Sequence, residues 1–136
     1  MKFNKTLFPE KSRTFKNNRW VKITLRTFHL IGIAGIGAGA FFHVAPDQWQ
    51  SFLILTSLTG ILFILLEVWS NGIWLIQIRG VVLYLKIMLL LSIPILPAYE
   101  SIILIIVIVL ASIISHAPGD VRYFSVLHGK RMDTLV

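Results

Sequence analysis

The sequence contains no cysteine among its 136 residues. Disulfides, iron–sulfur clusters, thiolate zinc sites and cysteine nucleophiles are therefore excluded. Charge is scarce as well, because only 14% of the residues are charged and only six are acidic, whereas about 25% of a soluble domain is charged. With 56% hydrophobic residues, the composition indicates an integral membrane protein.

The chain also lacks the short motifs of several enzyme classes. It contains no phosphate-binding loop, metalloprotease helix, nucleophile elbow or kinase signature, all of which are recognisable by their spacing. We therefore expect a protein without catalytic residues and without a metal site.

Four apolar segments are present, at about residues 23–44, 49–69, 80–96 and 98–115. A helix needs about 20 residues to cross the hydrocarbon core, with about 17 as the lower end. The connections between the segments are short, and short connections make neighbouring helices antiparallel. The sequence thus predicts an all-α integral membrane protein with a four-helix transmembrane domain, 23–115, in an up-down-up-down bundle.

Basic residues are concentrated at the N-terminus, where eight of the thirteen fall within the first 26 positions. A basic segment in front of an apolar span marks the cytoplasmic side and contacts anionic lipid headgroups. We assign residues 1–22 to this role and expect no nucleic acid partner. Arg79 and the basic residues of the C-terminal tail fall on the same side, which predicts a multi-pass protein of the cell inner membrane with both termini cytoplasmic.

Two segments have the composition of membrane-interface structure. The first, "NGIWLIQIRG", follows the second predicted helix and begins with a turn signal. The second is the cytoplasmic tail, 116–136, which follows the fourth helix. Asp120 there is placed to cap a short surface helix ending near Gly129; the alternative is an irregular basic tail.

The first predicted helix carries glycines on one face, at Gly32, Gly35 and Gly39. Small residues allow close approach between helices in lipid. The leading hypothesis is therefore a non-catalytic structural or accessory subunit that docks through this face to a larger membrane complex or to a second copy of itself.

Four charged or titratable residues are predicted to share one leaflet: Arg26, His29, Glu67 and Lys86. Placing a charged side chain inside a membrane span costs free energy, so such residues are usually paired or functional. One interpretation pairs Glu67 with Lys86 or Arg26, and another lets the long cations reach the membrane surface. If the cluster is functional, it would bind protons or a quinone headgroup. Alternatively, Glu67 and Lys86 would line the path of a small transporter.

Histidines at both ends of the glycine face raise the alternative of a haem protein. His29 and His43 are separated by about 21 Å along a helix, so two b-type haems would need a second histidine at each depth. His116 is the one partner predicted on the side of His29, and His43 has none in its leaflet. We expect no cofactor; the alternative is haem b or quinone in an electron-transfer subunit that uses His29 and His116.

Overall fold

The computed structural model describes residues 7–133. Lys2 and Lys5 of the predicted basic segment, and the last three residues of the predicted tail, lie outside the described residues. The chain divides into two compact units. The hairpin unit is Thr14–Glu67, and the composite unit combines the chain up to Arg13 with the chain from Val68 onward.

The secondary structure is mostly helical, as the apolar segments predict. In chain order it consists of α1 (Asn18–Phe42), α2 (Pro46–Ser70), a 3-10 turn (Gly72–Ile76), α3 (Ile78–Ser92), a second 3-10 turn (Pro97–Tyr99), α4 (Glu100–His116), α5 (Gly119–Arg122), β1 (Phe124–Ser125) and β2 (Lys130–Arg131).

A connection of three residues joins α1 to α2. His43 adopts a left-handed conformation with φ of 52°, and its N–H donates to the carbonyl oxygen of Gly39 at 3.0 Å. This arrangement satisfies a carbonyl that the end of a helix leaves unpaired. Pro46 then begins α2, where its missing N–H costs nothing and its fixed φ suits the first helical position.

Three stretches within residues 7–133 are long and apolar enough to cross a membrane: α1, α2 and Pro97–His116. α1 and α2 each have 25 residues, a length of about 37 Å. α1 begins at Asn18, so the helix extends into the segment that the sequence assigned to a basic N-terminal region.

The third apolar segment forms a shorter helix than the predicted 80–96. α3 has 15 residues and is about 22 Å long, less than the roughly 30 Å of a hydrocarbon core. It ends at Ser92; Pro94 follows in a turn and has no N–H with which to continue the helical ladder.

The segment after α2 is packed inside the composite unit. Its first peptide is held by the N-terminal chain, because the Gly72 N–H donates to the Leu7 carbonyl oxygen at 2.9 Å. The Asn71 side chain accepts from the Ile73 N–H at 3.1 Å and so caps the 3-10 turn. Ile73 and Trp74 are buried, so this segment forms part of the core of its unit.

The tail folds differently from the predicted surface helix. The helix that was expected to continue to Gly129 ends at Arg122, and the chain then turns back as an antiparallel β1–β2 hairpin. Gly129, in the hairpin turn, has φ of 62°, a conformation that glycine adopts without steric cost. In the same unit α3 packs against α4.

Candidate functional site

The glycine face of α1 lies against α2 of the same chain. It comprises Gly32, Gly35 and Gly39. A Cβ atom at Gly32 would lie 2.9 Å from the Phe52 carbonyl oxygen and the Thr56 nitrogen, so the backbones themselves meet there. Gly35 lies against the Phe52 ring, and a Cβ at Gly39 would be 2.6 Å from Trp49 Nε1. The sequence led us to expect a separate subunit at this face, and in the structure α2 occupies it.

His29 is part of the contact between the two helices of the hairpin unit. Its Nδ1 donates to the Thr56 carbonyl oxygen at 2.9 Å, and the Thr59 hydroxyl lies 3.3 Å from the same nitrogen. Thr59 donates to the Leu55 carbonyl oxygen at 2.7 Å. The ring also lies beside Gly60, where a Cβ would be 3.0 Å from its Cε1 atom. His29 therefore joins α1 to the backbone of α2.

Glu67 forms an ion pair with Lys22, whose Nζ lies 2.6 Å from the Glu67 Oε1 atom. The Glu67 side chain is 9% exposed and the Lys22 side chain 24%. The sequence suggests Lys86 or Arg26 as the partner of Glu67 and assigns Lys22 to the basic N-terminal segment. Lys22, Arg26 and His29 are spaced so that they lie on one face of a helix. This spacing was the sequence signal that would have added Lys22 to the predicted polar cluster.

Arg26 contacts an aromatic ring of α2. Its guanidinium carbon lies 4.9 Å from the centre of the Phe63 ring, within the range of a cation–π interaction. Arg26 also borders a depression of about 460 Å³ that is lined by Asn18, Arg19, Lys22, Ile23 and Arg26.

Three of the four residues in the predicted polar cluster thus lie in the hairpin unit. The fourth, Lys86, is a half-buried residue of α3 in the composite unit.

The histidines considered as haem ligands are distributed over both units. His43 is exposed at the end of α1 in the hairpin unit, whereas His116 is the last residue of α4 in the composite unit and is exposed. The strip between His29 and His43 that would accommodate a porphyrin is filled by α2 side chains. No group of three His, Asp or Glu side chains within residues 7–133 is arranged to hold a metal ion.

The composite unit has a polar centre that the sequence did not reveal. Gln77 and Ser125 are fully buried and pair across an antiparallel bridge. The Gln77 side chain donates to the Met132 carbonyl oxygen at 2.6 Å and accepts from Arg79 Nε at 2.6 Å. Because the contacts of Gln77 with Ser125 and Met132 join residues far apart in sequence, no local pattern could have predicted them.

A second feature missed from the sequence is an arginine cluster around Tyr123. The guanidinium carbons of Arg79, Arg122 and Arg131 lie 4.7, 5.5 and 5.6 Å from the centre of its ring. Arg131 also donates to Asp120 at 2.6 Å. That hydrogen bond, together with the charge of Asp133, raises the pKa of Arg131 above its usual range.

Comparison with protein-family models, with curated proteins and with solved structures finds no match to this chain.

Proposed function

We propose that this protein is a small non-catalytic integral membrane protein that serves as a structural or accessory subunit of a larger membrane complex. The supporting observation is how the hairpin unit uses its polar side chains. His29 donates to the α2 backbone, Glu67 pairs with Lys22, and Arg26 stacks on Phe63. A catalytic or transport site would direct such groups at a substrate, whereas here they join two helices.

Docking must use a surface other than the glycine face, because α2 covers that face. The opposite side of α1 carries the exposed apolar residues Ile23, Leu30 and Phe41. Leu30 is the most exposed of the three at 64%. This outward face of α1 is the docking surface that we propose for the partner subunit.

Site-specific photocrosslinking tests the proposal. A photoreactive amino acid at Leu30 should give an adduct heavier than the 15.4 kDa chain in native membranes. The same label at Leu58, which is 57% exposed on α2, is the matched control and should react with lipid. If labels at Leu30 and Leu58 both yield the uncrosslinked chain, and blue-native migration corresponds to one copy, the accessory-subunit function is wrong.

We also propose four membrane crossings with both termini cytoplasmic, α3 being the short third crossing. Arg79 and the basic residues of the C-terminal tail support this orientation through the positive-inside rule. Reporter fusions after Asp47 and Tyr99 should indicate the outer side, and fusions after Gly72 and at Val136 the cytoplasm. An inner-side signal at Asp47 would contradict this topology.

A b-type haem remains the second candidate because of one observation. The Nδ1 atom of His29 donates to the Thr56 carbonyl oxygen, and a backbone carbonyl orients the ring of many metal-binding histidines in the same way. Binding along the glycine face would require α2 to move. The absorption spectrum of the purified protein tests this candidate, because a Soret band would favour haem over the structural function.

A further inference from the structure

We propose that the arginine cluster around Tyr123 binds a phosphate group, and that its source is the headgroup of an anionic phospholipid. The site comprises Arg79, Arg122 and Arg131 with the Tyr123 ring between them. All three arginines and Tyr123 belong to the composite unit, so the site extends the proposed function with a lipid site in that unit.

The first argument is an unused donor. The Nε atom of Arg122 is buried and has no hydrogen-bond partner among the described residues. A buried N–H without an acceptor is unfavourable, and more so on a charged group. A phosphate oxygen is a strong acceptor, and guanidinium groups bind phosphate through paired N–H donors. A bound phosphate would therefore satisfy this donor.

The second argument is charge. Three guanidinium groups surround one ring. Among the described residues, Arg131 contacts the carboxylates of Asp120 at 2.6 Å and Asp133 at 3.5 Å, whereas no carboxylate pairs with Arg122. Arg131 is thereby balanced within the protein. Arg122 contributes a further positive charge that no described carboxylate balances. This charge favours an anion at this position.

The third argument is position in the chain. α4 is part of a stretch that is long and apolar enough to cross a membrane, and it ends at His116. Tyr123 follows a few residues later, immediately after α5, which places it at the level of the headgroups when α4 crosses the bilayer. Tyrosine and arginine are both typical of this level, and anionic lipids are concentrated there on the cytoplasmic side.

Lipid binding by the full-length protein in neutral detergent tests the proposal. Phosphatidylglycerol is titrated and the lipid-bound fraction is measured by native mass spectrometry, with phosphatidylcholine as the reference lipid. We expect phosphatidylglycerol to bind more tightly, and Arg122→Gln to weaken it about tenfold, which corresponds to about 1.4 kcal/mol. Lys130→Gln removes an equal charge from a neighbouring strand and should change the affinity much less.

Competition with inorganic phosphate identifies the source of the phosphate group. If excess inorganic phosphate leaves the lipid bound, the site is a lipid site; if it displaces the lipid and Arg122→Gln abolishes this effect, the site takes soluble phosphate. Equal losses in Arg122→Gln and Lys130→Gln would show a general surface charge effect and overturn the proposal.

Two conservative variants separate binding from folding. Arg122→Lys keeps the charge but lacks the Nε donor, and should bind more weakly than the unmodified protein. Tyr123→Phe keeps the ring and should bind normally. If Arg122→Lys binds as the unmodified protein does, the buried Nε is not a phosphate ligand and the proposed site is wrong. Circular dichroism of each variant confirms that the comparison is between folded proteins.

Discussion

The two units of this protein use polar side chains in opposite ways. In the hairpin unit, residues such as His29 and Glu67 connect two long helices whose other surfaces are apolar and exposed. In the composite unit, the polar residues Gln77 and Ser125 are themselves the most buried part of the structure. The contrast shows that close packing of backbone at the glycine face stabilises the hairpin unit. In the composite unit, hydrogen bonds between segments distant in sequence organise the structure.

The largest effect should come from adding a methyl group to the glycine face. Gly32→Ala places a carbon 2.9 Å from backbone atoms of α2, which cannot rotate away, so we expect a loss of about 3 kcal/mol, the upper end for overpacking. Gly37→Ala is the control, because its Cβ would meet the Phe41 ring at 3.5 Å. It should be neutral or stabilising by up to about 1 kcal/mol. Unfolding of the purified proteins in detergent measures both, and equal stabilities would show that the backbones do not meet at Gly32.

Gln77→Leu tests whether hydrogen bonds organise the composite unit. The change leaves the Met132 carbonyl oxygen without its donor and Arg79 Nε without its acceptor, at an expected cost of about 2 to 3 kcal/mol. Trypsin should then cleave the tail at Lys130 and Arg131 faster. Gln50→Leu, at an exposed position of α2, should leave the rate unchanged. Unaltered cleavage in Gln77→Leu would mean that apolar packing alone holds the tail.

Glu67→Gln should cost about 2 kcal/mol, less than the 3 to 5 kcal/mol of a fully buried pair, because Lys22 is partly exposed. In a double-mutant cycle with Lys22→Met the two losses should be strongly non-additive, since each variant removes the same ion pair. A cycle with Lys86→Met should be additive. Coupling to Lys86 instead of Lys22 would restore the pairing first suggested by the sequence.

His29→Leu should have the smallest effect, about 1 kcal/mol, because interhelical hydrogen bonds in lipid contribute about 0.6 to 2 kcal/mol. His116→Leu changes an exposed histidine of the other unit and serves as the control, with no expected change. Unfolding in detergent measures both variants. A much larger loss for His29→Leu, accompanied by the loss of an absorbing cofactor, would favour the haem alternative.

Sequence reasoning succeeded where structure depends on local pattern. The lengths of the apolar segments predicted a mostly helical protein with membrane-spanning helices, and the structure contains three stretches that are long and apolar enough to cross a membrane. Sequence reasoning could not predict which helix covers Gly32, because small residues specify close approach and not the partner. It also missed the bridge between Gln77 and Ser125, since neither residue belongs to a motif and their pairing depends on how distant segments meet.

The three-residue connection between α1 and α2 has a consequence for biogenesis. α1 ends at Phe42 and α2 begins at Pro46. In the topology that we propose, the insertion machinery therefore has very little polar chain to carry through the bilayer at this turn. Asp47 is the one charged side chain near it. We expect α1 to remain beside the translocon until α2 emerges from the ribosome, so that the glycine face meets Phe52 and Thr56 before either helix is exposed to lipid alone.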